Sequence, residues 1–304
     1  MKLRLGTRGS DLARTQATTV AQDLAAAGYE TELKIIRTAG DRSTAASFGS
    51  IGPQGVFVRE IEQALLEDEI DLAVHSFKDL PTRSPAALVV AAVPERADPA
   101  DLLLVRAGRT ADPDDALLPV ATGARIGTAS ARRRVWIEHF RPDLAVESLR
   151  GNVPTRIKRL ADGGYDAIML AAAGVARLRE ETDVLEALLA DLDVVRLDPL
   201  RFVPAPAQGA LAIQCRRDDE TVMAALAALD HPATRAAVTA ERDLLTCAEG
   251  GCDIAFGAHC RRNGDGLELV AMLERAGRVR SARAAGTDAS TLVEQAWQDL
   301  LAHE

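Results

Sequence analysis

Apolar residues in the N-terminal third of the chain recur with two periods, about two residues and about 3.6 residues, which are typical of strands and helices respectively. Short runs rich in β-branched residues alternate with longer runs of helical spacing. Strands that alternate with helices predict an α/β domain with a largely parallel sheet. The predicted elements are strand Lys2–Leu5, helix Leu12–Ala27, strand Thr31–Ile36, helix Val56–Leu66 and strand Ile70–Val74, with a long loop over Thr38–Gly55.

The same order of elements restarts after Asp98, and two short motifs return with it. Leu5-Gly6-Thr7 is paralleled by Ile126-Gly127-Thr128, and Asp71-Leu72-Ala73-Val74 by Asp166-Ala167-Ile168-Met169. The shared order predicts two related lobes. A Gly-Thr turn between strand and helix offers backbone N–H groups and a hydroxyl to an anion. The predicted elements are strand Arg125-Ile126, a helix through His139, strand Leu144–Leu149, helix Val153–Leu160 and strand Asp166–Leu170.

The pattern changes again near Asp218, where a small α+β domain is predicted. Before it, the apolar strand Ala210–Ile213 is predicted to return the chain to the first lobe. We therefore predict domain 1 over 1–97 and 199–217, domain 2 over 98–198 and domain 3 over 218–304. The elements predicted for domain 3 are helices Val222–Leu229 and Ala233–Thr246, strands Ile254–His259, Leu267–Leu273 and Val279–Ala284, and helix Ser290–Ala302.

Composition excludes several classes of protein. The 304 residues are 47% hydrophobic and 27% charged, which are ordinary values for a globular chain. The longest strongly apolar stretch, Ala86–Val93, is far short of the roughly 20 residues that span a bilayer. The first residues lack the apolar core of a secretory signal, so a cytoplasmic location is predicted. A net charge of −9 and 3% aromatic residues argue against binding to nucleic acid or anionic membranes.

Arginine dominates the basic residues, because only four of the 36 Lys and Arg residues are lysine. The excess could be a compositional bias, but several arginines lie where a predicted strand meets a helix. That placement favours a ligand with several carboxylates or phosphates, which guanidinium groups bind in bidentate fashion. The junction arginines are Arg8, Arg132, Arg133, Arg134, Arg150, Arg156 and Arg177.

Two further segments could carry chemistry. His75-Ser76-Phe77-Lys78-Asp79-Leu80-Pro81 follows a buried strand, where ligands collect in open α/β sheets, although a solvated polar turn would read the same way. Cys252 follows two glycines in Glu249-Gly250-Gly251-Cys252 and could be an exposed loop thiol. Cys215 and Cys247 are predicted to be packing residues. No zinc site is predicted, because the spacing of the cysteines and His259 is not a standard one.

Four motifs in the same order resemble the porphobilinogen deaminase family, also called hydroxymethylbilane synthases, over Leu3 to about Ala284. The resemblance implies two lobes like those of periplasmic binding proteins plus a small α+β C-terminal domain. It also implies a monomeric transferase that joins four porphobilinogen molecules head to tail on a covalent dipyrromethane cofactor, in tetrapyrrole (heme) biosynthesis. The motifs are Ala73-Val74-His75-Ser76-Phe77-Lys78-Asp79-Leu80-Pro81, Gly127-Thr128-Ala129-Ser130-Ala131-Arg132-Arg133, Ser148-Leu149-Arg150-Gly151-Asn152-Val153 and Glu249-Gly250-Gly251-Cys252.

The resemblance also implies roles for individual residues. Asp79 would be the catalytic carboxylate, which pairs with the substrate's ammonium, stabilises the cation left by ammonia and takes the proton released on coupling. Cys252 would hold the cofactor through a thioether. The other implied cofactor-binding residues are Arg132, Arg133, Arg150, Lys78, Ser130, Asp41 and Thr128, and the implied substrate-binding residues are Arg8, Ser10, Ser76, Arg156 and Arg177; no metal is implied.

The chain departs from the family pattern at a few positions. Pro53-Gln54-Gly55 stands where many relatives have Gly-Lys-Gly, Arg59 where they have lysine, and Asp253-Ile254-Ala255-Phe256 where a proline-containing stretch is usual. Arg134 has no family role. The alternative function is a non-catalytic two-lobed binder of a polycarboxylate, which the lobes and arginines fit equally well. Asp79 and Cys252 favour the enzyme.

Overall fold

The computed structural model of the chain describes residues 2–37, 58–111, 117–180, 184–248 and 255–302. The strands of these ranges are β1 (Lys2–Arg8), β2 (Glu30–Ile36), β3 (Leu72–Ser76), β4 (Leu88–Ala92), β5 (Asp101–Arg106), β6 (Arg125–Gly127), β7 (Ala145–Glu147), β8 (Ala167–Ala171), β9 (Leu192–Arg196), β10 (Leu211–Arg216), β11 (Phe256–Asn263), β12 (Gly266–Arg275) and β13 (Arg278–Gly286). The helices are α1 (Asp11–Ala26), α2 (Arg59–Leu66), α3 (Ala131–Phe140), α4 (Val153–Ala161), α5 (Ala172–Arg179), α6 (Val184–Leu189), α7 (Glu220–Ala227), α8 (Pro232–Ala248) and α9 (Ala289–Leu301).

The chain divides into two compact units. The first combines Met1–Ala97 with Gly209–Arg235, and the second combines Asp98–Gln208 with Ala236–Glu304. The division into three domains stays a prediction. Each unit is described by itself below.

The first unit is built on a five-stranded sheet with the order β2-β1-β3-β10-β4. β1 runs parallel to both β2 and β3, whereas β10 is antiparallel to its neighbours β3 and β4. β10 pairs Ile213 with Val74 of β3, so the predicted return of the chain to the first lobe is confirmed. The sheet is largely parallel, as predicted, with this one antiparallel strand inserted near the middle.

Alternation along β3 places its residues on the two faces of this sheet. Leu72 and Val74 pack with Val20 and Leu24 of α1 in one core. Ala73, between them, packs against α2 in a second core. The sheet is therefore covered by helices on both faces, which explains why its central strands are almost continuously apolar.

The second unit contains a sheet with the matching order β7-β6-β8-β5-β9. β6 is parallel to β7 and β8, and β5 is antiparallel to β8 and β9, as β10 is to its neighbours in the first unit. The prediction of two related lobes is confirmed by these strand orders. The core of this lobe surrounds the fully buried side chains of Trp136 and Phe202.

The C-terminal part of the second unit is a three-stranded antiparallel sheet, β11-β12-β13, with α9 packed on it. Its core includes Leu244 of α8, Leu269 and Leu273 of β12, and Leu292 and Leu300 of α9. Val270 and Met272, on the alternate positions of β12, belong instead to the core around Trp136. β12 thus contributes one face to each of the two cores of this unit. The predicted small α+β arrangement is confirmed.

Some element boundaries differ from those predicted. β3 begins at Leu72 instead of Ile70, because Asp71 first binds Arg4 through its side chain and the Arg4 carbonyl through its N–H. Strands β4, β5 and β9 were not predicted, and neither were helices α5 and α6. β5 and β9 pair in antiparallel fashion with partners distant in the sequence, which local patterns do not reveal. The predicted loop Thr38–Gly55 lies outside the described residues.

Candidate functional site

The turn that follows β3 places a carboxylate at the end of the sheet. The chain leaves Ser76 and makes one turn of 3₁₀ helix over Phe77–Asp79. The buried ring of Phe77 anchors the turn, and its N–H donates to the carbonyl of Ala210 at 3.0 Å. The side chain of Asp79 is exposed next to this anchor. The turn therefore places an acidic group at the surface beside a buried anchor.

A small cavity of about 80 Å³ lies where β1 and β3 end in the first unit. Four of the side chains implied by the family resemblance line it together: Arg8, Ser10, Ser76 and Asp79. Lys78, although only two residues from Ser76, does not line it and is half-buried. A guanidinium, two hydroxyl groups and a carboxylate therefore line one small space and offer complementary groups to a ligand that carries both acidic and basic groups.

Ser10 and Ser76 are held in place by different elements. Ser10 is the N-cap of α1, and its Oγ accepts a hydrogen bond from the N–H of Ala13 at 3.4 Å. The Oγ of Ser76 accepts a hydrogen bond of 2.8 Å from Nε2 of Gln16, which is buried and lines the same cavity. Gln16 therefore fixes the hydroxyl of Ser76 at the cavity wall.

His75 forms a further part of the cavity wall. Its side chain is 6% exposed, and its Nε2 lies 3.1 Å from Oε1 of Gln214. Burial lowers the pKa of His75 to about 4, and the hydrogen bond to Gln214 opposes this only in part. The imidazole is therefore neutral at physiological pH.

In the second unit, the Gly127-Thr128-Ala129-Ser130 segment forms the predicted turn between β6 and α3. Ser130 is the N-cap of α3 and accepts from the N–H of Arg133 at 3.4 Å. Thr128 is buried, and its Oγ1 accepts from the N–H of Ser130 at 3.2 Å. Glycine is favoured at 127 because a Cβ there would lie 2.9 Å from Cδ2 of Leu149. The turn thus presents the start of α3 at the end of the sheet, where a helix N-terminus favours anions.

Arg132 and Arg133, in the first turn of α3, share the fully buried carboxylate of Asp101. Nη2 of Arg132 donates to one oxygen at 2.8 Å, and Nη2 of Arg133 donates to the other at 2.6 Å. Nε2 of Gln208 donates to Asp101 as well, at 2.9 Å. We call Asp101, Arg132, Arg133 and Gln208 the arginine cluster. Both guanidinium groups are thereby fixed in orientation before any ligand binds.

The arginine cluster has more positive than negative charge. Burial alone would raise the pKa of Asp101, but the charges of Arg132 and Arg133 outweigh it and hold that pKa well below its usual range. The single carboxylate is therefore ionised and neutralises one of the two guanidinium groups. Nε of Arg132 is buried and has no hydrogen-bond partner within the described residues. The cluster retains both a surplus cation and an unused donor.

Four other predicted junction arginines lie on elements of the second unit. Burial, and then the charge of Arg133, lower the pKa of the Arg156 guanidinium, whose Nε donates to the carbonyl of Gly151 at 2.6 Å. Burial lowers the pKa of Arg177 as well. Arg150 is exposed after β7. Arg134 donates to the carbonyl of Val146 at 2.8 Å, which gives it a place in the packing of α3 against β7.

The predictions for Asp41 and for the cysteines have different outcomes. Asp41 and Cys252 lie outside the described residues, so their positions stay predictions. Cys215 is buried, as predicted, and burial raises the pKa of its thiol to about 11. The prediction that Cys247 packs in the interior is wrong, because its side chain is exposed near the end of α8.

The described part of the chain lacks two features that would point to other functions. In the ranges given above, no three His, Cys, Asp or Glu side chains come together as a set of metal ligands. None of the helices described is both long and apolar enough to cross a membrane.

Sequence reasoning missed three buried polar residues that hold candidate site residues in place within their own units, namely Gln16 in the first unit and Asp101 and Gln208 in the second. Their partners lie 60, 31 and 107 residues away or more, respectively, so no local motif marks them. One signal was available for Asp101. An acidic residue that opens the apolar run Leu102–Val105 needs a buried partner, because an unpaired charge inside a protein is very costly.

Comparison with known proteins identifies relatives over nearly the whole chain. The model of the porphobilinogen deaminase family, described as its dipyrromethane cofactor binding domain, matches residues 3–224. The porphobilinogen deaminase of Syntrophobacter fumaroxidans is 40% identical over 299 residues, which cover 94% of this chain and 92% of that protein. The porphobilinogen deaminase of Acidothermus cellulolyticus is 44% identical over 275 residues, covering 89% and 78% of the two chains.

Solved structures overlap with this chain more weakly. The periplasmic VFT2 domain of Bordetella pertussis BvgS is 14% identical, with a TM-score of 0.42, over 75% of this chain and 86% of that one. An ancestral cationic amino acid solute binding protein is 13% identical, also with a TM-score of 0.42, over 74% and 86%. The fold is therefore defined by the matching strand orders of the two lobes.

Proposed function

The chain belongs to the porphobilinogen deaminase family, and we propose on that premise how its own residues perform the reaction. The enzyme is a transferase that condenses four porphobilinogen molecules head to tail, releases ammonia and forms linear hydroxymethylbilane in tetrapyrrole biosynthesis. A covalently bound dipyrromethane primer would supply the pyrrole carbon to which the first substrate unit is joined, and each later unit would join the ring added before it.

Asp79 is the catalytic carboxylate in this proposal. The observation that carries it is the shared cavity, where Asp79 faces the same small space as Arg8, Ser10 and Ser76. Porphobilinogen has an aminomethyl group and two carboxylates, and the cavity offers a negative group for the first and donors for the second. Asp79 pairs with the ammonium, stabilises the cation that remains after ammonia leaves, and accepts the proton released when the new carbon–carbon bond forms.

The residues of the second unit fit a ligand that carries many carboxylates. Each pyrrole ring of primer and product bears two of them, and unpaired carboxylates would bind poorly to an acidic protein. The surplus cation of the arginine cluster and the unused Nε of Arg132 support a carboxylate there. We assign dipyrromethane to Arg132, Arg133, Arg150, Thr128, Ser130, Lys78 and Asp41, and porphobilinogen to Arg8, Ser10, Ser76, Arg156 and Arg177.

Cys252 is the proposed attachment point, since a thiolate is a nucleophile that would trap an electron-poor pyrrole derivative. The expected state of the working enzyme is a monomer in the cytoplasm, as the family resemblance implies. Sedimentation at assay concentration should then give the mass of one chain.

Intact-protein mass spectrometry after expression in a host that makes porphobilinogen tests the proposal. The wild-type chain should carry two additional pyrrole units, and Cys252→Ser should carry none. Cys247→Ser is the matched control, because Cys247 is an exposed thiol five residues away, and it should be loaded like the wild type.

Activity measurements complete the test. Asp79→Asn should fold normally and lose nearly all turnover, and substantial retained turnover would remove Asp79 from the mechanism. A wild-type chain that stays unmodified and inactive would favour the non-catalytic polycarboxylate binder instead.

A further inference from the structure

The wall of the Asp79 cavity contains an imidazole that the proposed mechanism does not use. His75 is the penultimate residue of β3, is 6% exposed, and lines the cavity beside Ser76 and Asp79. A buried histidine that lines the same cavity as a catalytic carboxylate would affect the site if it became charged. A neutral ring leaves Asp79 as the group that attracts a cation, whereas a protonated ring would compete with the substrate's ammonium for the carboxylate.

The orientation of the imidazole is fixed by Gln214 of β10. Nε2 of Gln214 donates to Oε1 of Glu62 at 3.0 Å and to Oγ of Ser84 at 3.3 Å. The amide oxygen of Gln214 is therefore the end that faces His75, at 3.1 Å. We assign the proton to Nε2 of His75 from this network, because that nitrogen must donate to the amide oxygen.

The charged groups around His75 come from three elements. Arg8, from the end of β1, and Asp79, from the turn after β3, line the same cavity. Glu62 of α2 is separated from the imidazole by the amide of Gln214. Lys78 lies in the turn itself. No carboxylate hydrogen-bonds to the imidazole among the described residues, and burial keeps the ring neutral with a pKa of about 4.

We propose that His75 is a positioning residue whose neutral charge state is required for Asp79 to bind the substrate's ammonium, and that Gln214, because it is an amide and not a carboxylate, orients the buried ring without adding the negative charge that would favour its protonation. The inference rests on the proposed function, since it assigns a role within the same cavity. It also gives a reason for the partly buried Gln214–Glu62 hydrogen bond, which places the negative charge on the far side of the Gln214 amide from the imidazole.

Exchanging the amide and the carboxylate tests this directly. The double variant Gln214→Glu/Glu62→Gln leaves the net charge unchanged. The new amide at position 62 can still donate to the new carboxylate at position 214, but that carboxylate now contacts His75. A carboxylate partner raises the pKa of histidine, so the ring should become protonated as the pH falls towards 6. The measurement is kcat/KM for porphobilinogen between pH 5.5 and 8.5, on protein shown by mass to carry the primer. In the double variant it should fall about tenfold per pH unit below the raised pKa.

Three controls identify the group that titrates. Glu62→Gln alone should not gain the acid limb. The triple variant with His75→Asn added should lose it, since no ionisable ring remains. An unchanged pH profile in the double variant, or an acid limb that survives in the triple variant, would overturn the inference.

His75→Asn alone provides a test that does not require the double variant to fold correctly. Asparagine is neutral at every pH and can still donate to Gln214, so the folded, primer-loaded variant should retain at least about a tenth of wild-type turnover, with a pH profile of the wild-type shape. Loss of nearly all turnover in that variant would show that the imidazole does more than remain neutral. A wild-type enzyme inactive on porphobilinogen would instead refute the proposed function.

Discussion

At the scale of single residues, the arginine cluster shows how a binding site is organised before its ligand arrives. Two adjacent arginines would repel each other if both were buried alone. Asp101 accepts hydrogen bonds from both and leaves one positive charge in excess. The carboxylate therefore makes the burial of Arg132 and Arg133 possible and still leaves the pair attractive to an anion.

Asp101→Asn should destabilise the folded protein by about 3–5 kcal/mol, because it leaves two buried guanidinium groups without a counter-ion. Since the pKa of Asp101 is lowered in the folded state, the stabilisation is present at neutral pH and is lost as the pH falls below the ordinary aspartate range. The difference between variant and wild type should therefore shrink in acid. Urea unfolding at pH 7 and pH 3 measures this. Asp143→Asn, which breaks the more exposed pair with Arg141, is the control and should change stability little.

The sequence could predict the residues of the site that lie within short motifs. Arg8, Ser10, Ser76 and Asp79 line one cavity in the first unit. It could not predict what holds them, because Gln16 reaches Ser76 across 60 positions and Gln214 reaches His75 across 139. A hydrogen bond of that kind is set by strand pairing and helix packing, which only the folded chain defines.

At the scale of elements, the same construction occurs in both lobes. In the first lobe, β1 runs through Gly6 and Thr7 to Arg8, so the Gly-Thr turn predicted there is wrong, whereas in the second lobe β6 ends at Gly127. In both lobes a serine, Ser10 or Ser130, caps the helix that follows, and arginines lie at the end of the strand or in the first turn of the helix. The neighbouring parallel strand then brings its own terminal side chains to the same edge of the sheet. The same arrangement of strand and helix positions site residues in both lobes. The motifs therefore appear as a repeat in the sequence.

Gly127→Ala should destabilise the second unit by about 1–3 kcal/mol, since its Cβ would press on three side chains at once. Those contacts would be 2.9 Å to Leu149, 3.0 Å to Tyr165 and 3.1 Å to Ile168. Gly9→Ala serves as the control, because its Cβ would meet only Ile35 at an ordinary 3.5 Å. Thermal unfolding of both variants decides the matter. Equal melting temperatures would contradict the close packing at Gly127.

Elements with a clear period were predicted well, and elements defined by pairing were not. α1 and α9 match their predicted ranges to within one or two residues, because each has a strong helical pattern and a capping residue. β5 was missed because its run Leu102–Val105 is short and lies between partners that come much later, β8 and β9. Antiparallel insertion of a strand has no local signature.

At the scale of the whole molecule, the net charge and the charge of the candidate site have opposite signs. The chain has a net charge of −9, yet the described site residues of the second unit are mostly arginines. Net charge thus describes the surface that solvent meets, and it does not predict the ligand. The arginines indicated an anionic ligand because several of them lie where a strand meets a helix.

The prediction of three domains can be tested by native-state hydrogen exchange. The second unit contains two hydrophobic cores, one around Trp136 and one between α9 and the C-terminal sheet. If domain 3 is a separate cooperative unit, amides of α9 and amides of β8 should exchange with different free energies of opening in low denaturant. A single shared opening energy would show that the second unit unfolds as one body.

The position of β10 has a consequence for how the protein is made. This strand lies between β3 and β4 and supplies Gln214, yet it is synthesised only after the entire sheet of the second lobe. On the ribosome, the N-terminal segment emerges first, and β3 and β4 lack their shared pairing partner until β10 has been synthesised. The later-encoded lobe can complete its sheet first, so the order of folding during translation is expected to reverse the order of the lobes in the gene.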